Sequence, residues 1–191
     1  MEKELIILLG NILFGNEREK MYLDLNIHSH IVVVAEPGRG KTTFLENIAE
    51  QVLESDEEVE MYVLCEAKSF VFDNKYKNIN YITLNNLEDT LNNLSKRDGI
   101  YQNEKRVVLV IDTLSGIFDS LTEECKYKLD YILRLGRGLK VNLLMSSNDE
   151  NLIKMDNVPV RVYGRNRLKN RDLKVGEFLI NLDICHRNRK W

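Results

Sequence analysis

Ile31-Val32-Val33-Val34-Ala35-Glu36-Pro37-Gly38-Arg39-Gly40-Lys41-Thr42-Thr43 is the stretch from which the rest of the chain is read. An unbroken apolar run passes into a glycine loop, and Lys-Thr then opens an amphipathic segment. This is the strand–loop–helix order of a phosphate-binding loop, with Ala35 where the first glycine usually stands. A polyphosphate needs a ring of inward-pointing backbone N–H groups, and Gly38 and Gly40 leave room for its approach. Lys41 can reach the β- and γ-phosphates, and the Thr42 hydroxyl can sit on Mg²⁺. A helix beginning near Lys41 adds its N-terminal partial charge. Ala35, Glu36, Pro37, Gly38, Arg39, Gly40, Lys41, Thr42 and Thr43 are therefore the candidate nucleotide cradle. The alternative is a Gly/Pro turn before an ordinary helix, and the strand in front and helix behind count against it.

Outward from this loop, apolar runs and helical spacings alternate. Ile12–Gly15 and Met21–Leu25 bracket polar residues 16–20 and predict a short hairpin ahead of the loop strand. Phe44, Leu45, Ile48, Ala49, Val52 and Leu53 recur at helical spacing, and an acidic run at 54–58 reads as a solvated turn. Met61–Cys65, Ile79–Leu84, Val107–Ile111 and Val141–Met145 read as strands. Leu87, Leu91 and Leu94 mark one helix, and Leu121 to Leu133 another that ends at Gly136. This alternation predicts an α/β fold with a mostly parallel sheet and helices on both faces. Ligands of such sheets bind beyond the carboxyl ends of the strands. Glu66, Asp112 and Ser147-Asn148 all fall there, on the edge that carries the loop. Asp112 directly after an apolar strand is the Walker B pattern, a carboxylate placed to face Mg²⁺.

At 191 residues, with 43 % hydrophobic and 30 % charged residues, one soluble domain is the expectation. A net charge of −3 and pI of 5.7 argue against wholesale nucleic-acid binding. Cys65, Cys125 and Cys185 are odd in number and far apart, which predicts reduced thiols of a cytosolic compartment. His28, His30 and His186 form no ligand cluster. Leu5–Leu9 is too short for a membrane span, so an attachment to a membrane would come from outside this chain. The tail is basic, with Arg161, Arg165, Arg167, Lys169, Arg171 and Lys174 between two short strands at 160–163 and 177–182.

With these residues placed, the chain resembles the FtsK/SpoIIIE branch of P-loop ATPases over nearly its whole length. In that branch a histidine commonly leads the Walker A strand, as His30 does. The next strand usually ends in Asp-Pro-Lys, where Glu66-Ala67-Lys68 stands here. A Gly-Arg-Ala pattern matches Gly136-Arg137-Gly138, and a polar sensor residue matches Asn148. The short size and the ending, Val162-Tyr163-Gly164-Arg165-Asn166-Arg167 before Val175-Gly176-Glu177-Phe178-Leu179-Ile180, are similar to the last ATPase domain of the type VII secretion coupling ATPases, EssC or EccC. The resemblance implies one domain over residues 1–191, the C-terminal piece of a membrane-anchored, hexamer-forming motor on the cytoplasmic side of the cell membrane. It implies ATP and Mg²⁺ as cofactors. As partners it implies the motor's other domains and secreted proteins of the small helical-hairpin class.

The departures bear on activity. Active members carry an acid directly after the Walker B Asp, and here that place holds Thr113. A hydroxyl can hold a water but accepts no proton from it near neutral pH. Glu36 adds negative charge beside the phosphates, which weakens binding. The expectation is nucleotide held through Lys41, Thr42 and Asp112, with hydrolysis slow or absent. An active DNA translocase of the FtsK type and a stand-alone NTPase are the rival readings. Glu66 as a substitute acid competes with a simpler ion pair to Lys68. Arg137 as a finger into a neighbouring subunit competes with a charge on a helix C-terminus, and Asn148 as γ-phosphate sensor competes with a turn-former. The arginines of the tail could bind an acidic partner, although a solvated loop is the simpler reading. Tyr127 and Tyr131, one helical turn apart, could face a partner or be half-buried.

Overall fold

A computed structural model of the chain describes residues 4–14, 17–55, 58–65, 76–98, 105–152, 155–166 and 170–182. Its centre is β3 (His30–Val34), buried along its whole length. Alternate side chains of a strand point to opposite faces, so Val32 and Val34 enter one core while Ile31 and Val33 enter the other. β6 (Arg106–Ile111) divides the same way, with Val107, Leu109 and Ile111 on the first face and Val108 and Val110 on the second. Strands apolar on both faces belong inside a parallel sheet covered on both sides.

The sheet has seven strands in the order β5-β4-β6-β7-β3-β8-β9. Its other members are β4 (Val59–Leu64), β5 (Ile79–Ile82), β7 (Val141–Ser147), β8 (Val160–Tyr163) and β9 (Leu179–Leu182). Neighbours pair in parallel except β8 and β9, which are antiparallel. β7 lies between the loop strand β3 and the aspartate strand β6. The first face is covered by α2 (Leu84–Ser95), the short α3 (Leu114–Ile117) and α4 (Glu123–Leu139). The second is covered by α1 (Lys41–Leu53) and by a ribbon of β1 (Ile6–Phe14) and β2 (Glu17–Asp24). One helix cannot cover a seven-stranded face, and Leu5, Ile7, Leu9, Leu23 and Leu25 from the ribbon and its flanks complete that core. Buried Asn142 donates to the carbonyls of Leu25 and Ser29 and accepts from Arg106, which ties the ribbon's exit to the base of the sheet.

The α/β class, the parallel sheet and the N-terminal hairpin agree with the sequence reading, while several boundaries differ. β9 starts at Leu179 and not at residue 177, and β7 runs past Met145 to Ser147. The ribbon starts at Ile6, so the apolar run Leu5–Leu9 lies in and beside β1, with Leu5, Ile7 and Leu9 buried and Ile6 exposed, and polar Glu17–Lys20, read as a turn, is strand. α2 begins at Leu84, one residue after the end cap Thr83, which shortens the strand read at 79–84. α4 runs through Gly136 to Leu139. Gly136 does not end the helix, because the residue is there for contact: a Cβ on it would lie 2.4 Å from the His30 ring and 2.6 Å from the Val141 carbonyl oxygen. Glu66, Ala67, Lys68, Arg167, Lys169, Cys185 and His186 lie outside the described residues. No helix among the described residues is long and apolar enough to cross a membrane.

His30 thereby joins two layers. Its Nδ1 accepts from the Leu143 N–H at 3.0 Å, which puts the ring proton on Nε2. Nε2 faces α4 without a hydrogen bond of ordinary geometry, although the carbonyls of Leu133 and Ile132 mildly favour protonation. Burial dominates and pulls the pKa down to about 3. The unfolded chain binds this proton near 6.5, so the folded state is stabilised above that pH and loses the contribution as pH falls toward 3. Chemical denaturation between pH 6.5 and 4 should show an acid slope approaching ~1.4 kcal/mol per pH unit from this residue. Replacing His30→Gln should lessen that slope by about one proton, and an unchanged slope would contradict it.

Candidate functional site

The loop between β3 and α1 turns through two glycines in the left-handed region, Gly38 (φ +72°) and Gly40 (φ +90°). Side chains there would be strained, which is the local reason for Gly-Arg-Gly. Gly40 is also the residue before the first turn of α1, so free amides of that turn open onto the loop. Ala35 N–H donates to the Ser147 carbonyl at 3.2 Å, and Glu36 N–H to the Arg165 carbonyl at 3.1 Å. The loop is thus clamped between the ends of β7 and β8. Ala35 in place of glycine is matched by Gly164, where a Cβ would lie 2.7 Å from the Ala35 methyl. Phe178 packs on the same spot and its ring lies 5.4 Å from that of Phe44.

Lys41 is buried, and its ammonium donates to the carbonyls of Ala35 at 2.7 Å and Glu36 at 2.9 Å. Burial lowers its pKa, opposed by the Asp112 and Glu36 carboxylates. Thr42 donates through its hydroxyl to Asp112 Oδ2 at 2.9 Å. The residue at the end of the loop and the residue at the end of β6 therefore meet although β7 separates their strands. A hydroxyl and a carboxylate oxygen in contact are the hard oxygen donors that Mg²⁺ takes, together with phosphate oxygens. These residues fit an ATP·Mg²⁺ ligand by the chemistry of the donor set.

Glu36 is not an uncompensated charge, because Arg39 lies 3.6 Å from it across the loop. Thr43 is exposed, and Pro37 lies on the outer turn. Thr113 follows Asp112 in a left-handed conformation (φ 60°, ψ 49°). For a β-branched residue this costs roughly 1–2 kcal/mol. Asn148 is exposed past the end of β7, with its amide N–H donating to Ser115 Oγ at 3.0 Å. Arg137 lies near His28 and His30, at the sheet edge opposite the loop. Tyr127 is exposed and Tyr131 is partly buried against the core.

Two site residues had no clear signal in the sequence. Ser146, fully buried on β7, donates to Asp112 Oδ1 at 2.6 Å and accepts from the Thr113 N–H at 2.7 Å. Glu46 lies one helical turn beyond Thr42, and its pKa is raised by burial and then by Asp112. Its spacing of four from Thr42 on an amphipathic helix was the available clue.

A mostly parallel sheet with this loop on a central strand and an aspartate two strands away is the fold of P-loop ATPase domains. Solved structures with the same fold include FtsK/SpoIIIE-type ATPases. The pCW3 conjugation coupling protein TcpA with ATPγS is 23 % identical, with a TM-score of 0.78 over 96 % of this chain and 64 % of that one. Thermomonospora curvata EccC (ATPases 2 and 3), in complex with a signal sequence peptide, is 16 % identical, with a TM-score of 0.70 over 93 % of this chain and 42 % of that one. Geobacillus thermodenitrificans EssC (ATPases 2 and 3) is 12 % identical, with a TM-score of 0.69 over 87 % and 40 %. The chain spans less than two thirds of each of these structures. No protein-family model matches the sequence, and no curated protein does.

Removing the acid of the Glu36–Arg39 pair should leave Arg39 free to face phosphate. Glu36→Gln is expected to tighten ATP binding about threefold to fivefold, the size of a partly exposed ion pair. Fluorescence titration with a labelled ATP analogue checks this, and weaker binding would show that Glu36 holds the loop in shape.

Proposed function

We propose that this chain is an ATPase-fold domain of a secretion motor of the EssC/EccC type, the terminal such domain, working on the cytoplasmic side of the cell membrane. It holds ATP and Mg²⁺ through Lys41, Thr42 and Asp112, with the backbone of Ala35–Thr43 around the phosphates. Thr42 and Asp112 would hold Mg²⁺, which when bound would supply neutralisation of phosphate charge. Lys41 would leave the two loop carbonyls to meet the phosphates. Hydrolysis is slow or absent, and the domain engages or regulates export of secreted proteins of the small helical-hairpin class. Its further partners are the motor's other domains, in a hexamer.

The observation that carries this reading is the contact of Thr42 with Asp112 at 2.9 Å beside a threonine where a general base belongs. What supports the reading is a pair of oxygen donors suited to Mg²⁺ in contact, followed at 113 by a residue with no acid. The EccC structure with a signal sequence peptide supports substrate engagement by domains of this fold. A DNA-translocating motor is the second reading, favoured by the likeness to a conjugation coupling protein. The net charge of −3 weighs against it.

Multiple-turnover phosphate release from a hexamerised preparation separates the two. The secretion reading expects a rate equal to that of Lys41→Ala, together with saturable binding of a C-terminal signal peptide. A rate well above that of Lys41→Ala, with DNA affinity falling steeply as salt rises, would favour the motor and contradict the proposal.

A further inference from the structure

Asp112 has two carboxylate oxygens, and each is held by a different hydroxyl. Thr42 from α1 donates to Oδ2 at 2.9 Å, and Ser146 from β7 donates to Oδ1 at 2.6 Å. The Ser146 oxygen also accepts from the Thr113 N–H at 2.7 Å. A hydroxyl has one proton to give, and an amide can only donate, so the direction of both bonds is fixed. The proton of Ser146 must go to Asp112. Ser146 has no exposure to solvent, so water cannot readily take either role.

The same side chain therefore controls two things that face the cradle. It stops the Asp112 carboxylate from turning about its last bond, which keeps Oδ2 toward Thr42. It also ties down the amide of Thr113, a non-glycine residue at φ 60° that local preference alone would not hold. β7 is the strand between β3 and β6, so a side chain at its end is the one that can reach the Asp112 turn from the loop side.

We infer that Ser146 is the positioning residue of the site: it presents one chosen oxygen of Asp112 to the metal and clamps the strained Thr113 turn. This rests on the reading of the cradle as an ATP·Mg²⁺ site. Alanine at 146 leaves the Asp112 Oδ1 and the Thr113 amide without partners. Magnesium should then add less to nucleotide affinity, while binding of the phosphates by the loop and Lys41 persists.

Two measurements test it on the full chain with Ser146→Ala, Ser146→Thr and the double variant Ser146→Ala with Thr113→Gly. The glycine removes the left-handed strain and keeps the alanine background folded. In the ligand-free protein, hydrogen exchange of the amide at 113 should be at least tenfold faster in Ser146→Ala than in wild type, and Ser146→Thr should restore protection. With a fluorescent ATP analogue, the ratio of affinities in Mg²⁺ and in EDTA should fall about tenfold in both alanine variants, with the EDTA affinity unchanged. An amide still protected in Ser146→Ala, or a full Mg²⁺ increment in the double variant, overturns the inference. Wild type that binds no nucleotide refutes the cradle reading instead, and the exchange result then decides the clamp alone.

Discussion

The hydrogen bond from Thr42 to Asp112 crosses the top of a strand that belongs to neither residue, and the architecture of the sheet is what makes it short. β3 and β6 are both apolar on both faces, so each must lie inside the sheet. Inserting β7 between them puts two hydroxyl-bearing positions, Ser146 and Ser147, between loop and carboxylate. The Ser147 carbonyl holds the start of the loop and the Ser146 hydroxyl holds the aspartate. A strand of Leu and Met beyond its middle would give the same core and no such site. Polar groups in a dry place are stabilising only when each finds its partner, and here Thr42, Asp112, Ser146 and the Thr113 amide satisfy one another.

Much of this was legible from residues 31–43 and 107–112, because a doubly buried strand is a continuous apolar run and a phosphate loop has a fixed spacing. The parts that were not legible depend on contacts far apart in sequence. Glu17–Lys20 reads as a turn since a two-stranded ribbon has one face in water, where Glu and Lys are ordinary. Gly136 reads as a helix stop, and its real reason is a histidine 106 positions earlier whose ring fills the space of a side chain. Ser146 reads as one serine among several; only the placement of β7 beside β6 gives it an aspartate to hold. Asn148 reads as a sensor or a turn-former by its place after the strand, and its backbone N–H donates to Ser115 Oγ while the residue is exposed.

The same logic explains how a fold persists when identity to its neighbours is 12–23 %. Ala35 stands where a glycine is usual, and Gly164, just past the end of the neighbouring β8, leaves the space its methyl needs. Glu36 brings an acid to a phosphate site, and Arg39 within the same loop answers it. Each departure has a local compensation that keeps the loop's shape. Thr113 has none of that kind: among the described residues no acid other than Asp112 lies within its own turn. The loop's shape is kept by these local contacts, whereas the position directly after Asp112 carries a hydroxyl and no carboxylate.

The central claim is that the loop and Asp112 form a working ATP·Mg²⁺ cradle, and calorimetric titration of the whole chain with ATP·Mg²⁺ tests it most directly. The account predicts saturable one-site binding that weakens at least tenfold in Lys41→Ala, in keeping with loss of a charge-assisted contact worth about 1.5–3 kcal/mol. No heat of binding to the wild type, or equal affinity in the variant, would contradict it.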